Sequence, residues 1–216
     1  MLAFSDEFNT TTLDTNKWNN GGKHQNDVWN EPSNVWVHRG KAVLNLSSHT
    51  SGAMLYSGPV DGIGADHYQL PVGGYVEARI RFPGPGTKPG ASLYNWPAWW
   101  TVGTDDWPTG GEIDIAEASP WRTNNPLSTN YHSPSSHIGY YVPGHWTNAY
   151  HVYGAHRRDG AVDFYYDGQL INTMPTRDNG APHSLVFNHG LMKGQTPVIG
   201  AVARIRIDWV RAWEQP

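Results

Sequence analysis

The chain has 216 residues, with 19 acidic side chains against 15 Lys plus Arg, for a net charge of −4. No run of basic residues exists, which excludes a nucleic-acid or anionic-membrane partner, and no apolar stretch approaches membrane-spanning length. The absence of cysteine excludes a disulfide framework and a thiolate metal site.

In chain order, Met1-Leu2-Ala3-Phe4-Ser5-Asp6 has no basic segment followed by an apolar one. Either the chain is not exported by the general secretory route or a leader has been removed from it. Turn signals then recur at Asn20-Gly21, Asp61-Gly62, Asp159-Gly160, Asp167-Gly168 and Asn179-Gly180. Between them lie short segments of period two. Val76, Ala78, Ile80 and Phe82 face one way, and Tyr75, Glu77, Arg79 and Arg81 the other. Pro83 to Gly90 reads as a surface loop between strands. Phe164 and Tyr166 run into the Asp167-Gly168 turn, with Gln169 to Asn172 returning from it. Ile205, Ile207 and Trp209 alternate with Arg204, Arg206 and Asp208. No long helical period is free of Gly and Pro. The pattern predicts one all-β domain over residues 1–216, an antiparallel sandwich or barrel.

Aromatic usage is uneven, at 11 Trp and 11 Tyr against 5 Phe. Phe serves a dry core equally well, whereas Trp and Tyr join a flat apolar face to a polar edge. That combination suits the C–H faces and hydroxyl rims of sugar rings. Any single one of these rings can equally be a packing residue.

The most informative segment is Trp107-Pro108-Thr109-Gly110-Gly111-Glu112-Ile113-Asp114-Ile115-Ala116-Glu117. On a strand, Glu112 and Asp114 share one face, and Ile113 and Ile115 the other. Strict alternation puts Glu117 on the wrong face. One extra residue, a β-bulge near Ile115 or Ala116, returns it to the acidic face. Three carboxylates would then line one ridge. Retaining glycoside cleavage needs two carboxyl groups about 5 Å apart, one ionised and one protonated. Two plainer readings remain open: a solvated edge strand, and a metal site formed by these acids with His132, for which no His-x-x-x-His-like pair stands nearby.

Glu112-Ile113-Asp114-Ile115-Ala116-Glu117 resembles the E-x-D-x-x-E signature of glycoside hydrolase family 16 in its β-bulge form, which is typical of laminarinases, agarases and carrageenases. Phe4-Ser5-Asp6-Glu7-Phe8 and Leu13-Asp14 to Trp18 resemble the family's opening. Asn34-Val35-Trp36-Val37 with Gly40-Lys41-Ala42-Val43-Leu44 resembles its second strand pair, and Gly74 to Ile80 a strand with a substrate-contacting arginine. Trp96-Pro97-Ala98-Trp99-Trp100 resembles the W-P-A-x-W element, and Ile207 to Arg211 the closing strand. Each piece alone is weak; their order with a full acidic motif is specific.

The resemblance implies a concanavalin-A-like β-jelly-roll of two antiparallel sheets, with a groove on the concave face. It implies Glu112 as nucleophile, Asp114 as its helper and Glu117 as acid/base. It implies substrate contacts from Asn34, Arg79, Trp96, Trp100, Trp107 and His132. No cofactor serves catalysis, and a structural Ca²⁺ is expected at Glu7, the Gly40 backbone and Asp208. The implied protein is a secreted, extracellular monomer acting endo on a β-linked polysaccharide, with β-1,3-glucan as substrate. Agarose, carrageenan or another galactan is the alternative. A non-catalytic carbohydrate-binding domain on the same fold, or a structural domain of a larger particle, is the competing class. Thr101-Val102, Ala118-Ser119 and the long polar stretch from Pro120 to His137 depart from laminarinases where they would border the groove.

Overall fold

The computed structural model describes residues 1–86, 90–142 and 144–215. Residues 87–89 of the loop predicted from Pro83 to Gly90 lie outside them. The strands, in chain order, are β1 (Leu2–Asp6), β2 (Asn19–Asn20), β3 (His24–Gln25), β4 (Val28–Asn30), β5 (Val35–Val37) and β6 (Ala42–Leu44). There follow β7 (Ser51–Tyr56), β8 (Gln69–Leu70), β9 (Tyr75–Arg81), β10 (Trp96–Gly103), β11 (Glu112–Ala118) and β12 (Leu127–Ser133). The last six are β13 (Ser136–Tyr141), β14 (His151–Arg158), β15 (Ala161–Tyr166), β16 (Gln169–Pro175), β17 (His183–Gly190) and β18 (Ile205–Trp213).

They form two sheets. One has 8 strands in the order β16-β15-β14-β9-β18-β6-β5, with β1 against β18. The other has 10 strands in the order β13-β12-β11-β10-β17-β7-β4-β3, with β2 on β7 and β8 on β17. The two-layer β-jelly-roll expected from the sequence is present.

The period-two pattern explains the layering. Val76, Ala78, Ile80 and Phe82 are all buried, while Tyr75, Glu77, Arg79 and Arg81 point out of the 8-stranded sheet and stay half-exposed. From the other sheet, Trp99, Ile113, Ile115, Tyr131 and Phe187 meet them in one continuous core. The Trp99 ring stacks on Phe187 at 4.1 Å, and its indole N–H reaches across to the Tyr153 carbonyl at 3.3 Å. A polar tip is thus satisfied inside an otherwise apolar layer. The Asp167-Gly168 hairpin forms as predicted. Both turn residues have positive φ, 48° and 76°, the requirement of a tight hairpin turn.

The closing strand departs from simple alternation. The register of β18 against β9 shifts between Ile207 and Trp209. Ile205 and Ile207 are core residues as predicted, but beyond the shift Val210 and Ala212 face the core and Trp209 turns outward, covered by the Arg211 guanidinium. The extra residue is Asp208, which the shift aims at two cations of the outer face.

Candidate active site

Strand β11 carries the acids at the middle of the 10-stranded sheet. Its register against β12 shifts between Asp114 and Glu117, and that against β10 shifts between Trp99 and Trp100. Ile115 and Ala116 are both buried in the core. Two successive inward residues are what a bulge produces, and Glu117 returns to the face of Glu112 and Asp114. The solvated edge strand is excluded, because β11 lies between β10 and β12 and Asp114 and Glu117 are buried.

Register sets each acid's neighbours. Glu112 pairs with Val102 on β10 and His132 on β12; Asp114 pairs with Trp100 and Asn130; Glu117 pairs with Ala98 and Ser128. His132 in turn pairs with His137, and their rings stack at 4.1 Å. His132 Nε2 stands 3.2 Å from Asp114 Oδ2 and 3.7 Å from Glu112 Oε1. Both Glu117 oxygens accept hydrogen bonds, Oε1 from the Trp96 indole at 2.8 Å and Oε2 from the Asn130 amide at 2.7 Å.

Burial is the largest cause lifting all three carboxyls above their ordinary pKa. It raises Glu117, helped by the Asp114 charge and opposed by the Trp96 and Asn130 donors. It raises Glu112, with Asp114 and Glu117 adding to it and His132 and the Trp107 indole opposing it. Asp114 is pushed up to about 7 by burial, against the hold of Asn130. Of the two glutamates, Glu112 is the one with a nearby base whose protonation favours its anion.

The aromatic residues divide. Trp107 is 56% exposed on the loop before β11 and lies over His132, with ring centroids 6.2 Å apart. Trp100 is nearly buried, its indole N–H on Asn188 Oδ1 at 2.8 Å. Both line a cavity of about 370 Å³ with Lys23, His24, Met54 and Glu112. That size is within the usual range of small-molecule sites. Lys23 closes one wall through an ion pair with Asp61. The loop carrying Trp107 is tied down from below. His183, held neutral by burial with its pKa lowered to about 3, bonds the Gly110 carbonyl through Nε2 and Thr101 through Nδ1.

Two expected substrate contacts are corrected. Arg79 lies on the outer face of the 8-stranded sheet, paired with Asp208 and stacked on Tyr150, so the core separates it from the acids. Asn34 is buried and spends its amide on the Gly52 carbonyl and the hydroxyls of Ser47 and Ser51. It fastens the chain before β5 to β7 and has no donor left for a ligand.

The expected calcium ligands do not fit that ion. Asp208 gives one oxygen to Lys41 and the other to Arg79, and the Lys41 ammonium also reaches the Gly40 carbonyl at 3.3 Å. Glu7 is bound by both arms of Arg211, at 2.8 and 3.2 Å. A Ca²⁺ site gathers six to eight oxygens without cations among them. Here an ammonium already lies between two of the three donors.

Asn130 is the site residue that the sequence reading missed. It lies 13 positions after Glu117 in no motif, and only the antiparallel register brings it alongside. Gly139 makes room for it, since a Cβ there would stand 2.7 Å from Asn130 Oδ1.

Comparison with known proteins agrees with this geometry. The family model described as XgeA-like, catalytic GH16 domain, matches residues 88–139, which contain all three acids and Asn130. Glucan endo-1,3-beta-glucosidase A1 of Niallia circulans is 26% identical over 99% of this chain, and the chain spans 38% of that relative's length. Among solved structures, SCLam, a non-specific endo-β-1,3(4)-glucanase from family GH16, superposes with a TM-score of 0.75 at 22% identity, covering 100% of this chain and 91% of that one. Porphyranase B of Zobellia galactanivorans gives 0.75 at 17% identity, covering 97% and 90%. A GH16 model matches over the acidic strand, a relative aligns along nearly the whole length and the sandwich is the same throughout, so the chain is similar to glycoside hydrolase family 16, and its acidic strand carries a β-bulge.

Proposed function

We propose that residues 1–216 act as a retaining, endo-acting glycoside hydrolase on β-1,3-glucan, as a secreted monomer that needs no catalytic cofactor. The observation that carries this reading is the bulge in β11, which sets Glu112, Asp114 and Glu117 on one face beside an exposed tryptophan. A binding domain needs the aromatics but not three carboxyls on one face, two of them buried.

The chemistry follows from the two environments. Glu117, kept protonated chiefly by burial, gives its proton to the glycosidic oxygen as that bond breaks. The Glu112 carboxylate, favoured by His132 and Trp107, attacks the anomeric carbon and forms a glycosyl ester. Glu117, now ionised, takes a proton from water, whose oxygen attacks the same carbon and releases Glu112. Asn130 and Trp96 hold the Glu117 carboxyl in one orientation through both steps. Trp107 offers its face to a sugar at the cleavage point.

Glucan is favoured over a sulfated galactan by the charges of the cavity. Its one lysine, Lys23, is neutralised by Asp61, and Glu112 adds a carboxyl to the wall it shares with Trp107 and His24, so no unpaired lysine or arginine is left to receive a sulfate. An anionic sugar would be repelled there. No helix among the described residues is long and apolar enough to cross a membrane. The test is hydrolysis of laminarin beside agarose, carrageenan and porphyran, with Glu112→Gln as control. Reducing ends should appear from laminarin and vanish in the variant, which should keep its fold. Release only from a galactan would overturn the substrate, and an active Glu112→Gln would overturn the nucleophile.

A further inference from the structure

We infer that Glu112, Asp114 and His132 form a site for a divalent transition ion of the zinc class, and that the bound ion blocks the groove. One ligand atom from each residue lies within 4.8 Å of the other two. A tetrahedral ion with ligands at about 2.0–2.1 Å has ligand–ligand edges of roughly 3.3 Å. The 3.2 Å from His132 Nε2 to Asp114 Oδ2 and the 3.7 Å to Glu112 Oε1 already bracket that edge.

A second observation points the same way. Asp114 Oδ2 is buried and accepts no hydrogen bond, although His132 Nε2 stands nearby without the alignment of one. A buried carboxylate oxygen without a donor is costly, and a cation between it and the imidazole would satisfy both. The His132 ring is held in plane by the stacked ring of His137, 20° from parallel, so the imidazole is pre-oriented as a ligand should be. One imidazole with two carboxylates suits zinc and its neighbours, whereas calcium and magnesium ask for oxygen alone. Trp107 is exposed and its ring lies 6.2 Å from that of His132, so the ligand cluster lies close to the solvent side of the groove.

The ion would neutralise Glu112 and occupy the space of the reacting sugar. That inhibitory consequence rests on the hydrolase reading; the binding itself does not. The experiment is therefore a calorimetric titration of metal-free protein with ZnSO₄, run beside laminarin turnover with and without a chelator. One ion per chain should bind, with MgSO₄ giving no heat at the same concentrations, and zinc should suppress turnover reversibly. His132→Gln and Asp114→Asn, each checked for an intact unfolding transition, should weaken zinc binding by roughly tenfold or more. Absence of zinc binding, or unchanged affinity in both variants, would overturn the site. Binding by a protein that releases no sugar would keep the site and overturn the hydrolase reading instead.

Discussion

The side-chain amide of Asn130 donates to Glu117 Oε2 at 2.7 Å, joining a strand outside the acidic motif to the proposed acid/base. That donor favours the ionised carboxyl, in opposition to burial and the Asp114 charge. Asn130→Ala removes the opposition, so the Glu117 pKa rises. In the proposed mechanism Glu117 acts first as the protonated partner, so the alkaline limb of the rate profile should move to higher pH. The loss of one hydrogen bond to a charged group, worth about 1.5–3 kcal/mol, should lower kcat by roughly 10–100-fold. Gly139→Ala should give a milder version, because its Cβ would displace Asn130, and should add nothing in the Asn130→Ala background. Rate profiles of the two single variants and the double variant check this. An alkaline limb that stays in place would reduce Asn130 to a packing residue.

Asp114 links the site to stability. The unfolded chain ionises this residue near its ordinary value of about 3.9, whereas burial keeps the folded carboxyl protonated up to about 7. As pH rises through that window the unfolded state gives up a proton that the folded state retains. The stability present below the lower value is therefore lost progressively up to the higher one. Asp114→Asn removes this titration while keeping the shape. Its Tm relative to the parent protein should rise from about pH 4 to about pH 7 and level off above, as scanning calorimetry would record. A Tm difference independent of pH would mean that Asp114 does not titrate as a buried acid.

Calcium should have no effect on stability. With Asp208 held by Lys41 and Arg79 and Glu7 by Arg211, the donors on the outer face are already neutralised. A ligand of the native state raises Tm by mass action. The Tm should therefore be the same in excess CaCl₂ and in chelator, and a clear rise with calcium would show that the ion displaces Lys41.

The sequence made legible whatever depends on local periodicity. The alternation through Val76 to Phe82 identified the core face of β9, and the spacing of Glu112, Asp114 and Glu117 demanded the bulge later seen at Ile115 and Ala116. What failed depends on partners far along the chain. Arg79 was expected in the groove, but its outward place in β9 and the shift of β18 at Asp208 pair the two on the opposite face. Asn34 was expected to touch substrate, yet β7 runs beside it and takes up its amide. Asn130 and Gly139 carry no motif, and only the β11-β12-β13 register brings them to Glu117.

The proposed nucleophile Glu112 and acid/base Glu117 share one face of β11 and interact electrostatically, and double displacement by such a pair retains the anomeric configuration. Proton NMR of laminarin hydrolysis, recorded before mutarotation, reads the first-formed reducing end. The β anomer should appear first and the α anomer only as the mixture equilibrates. An initial α anomer would mean inversion by a more distant pair of acids and would contradict the assignment of both residues.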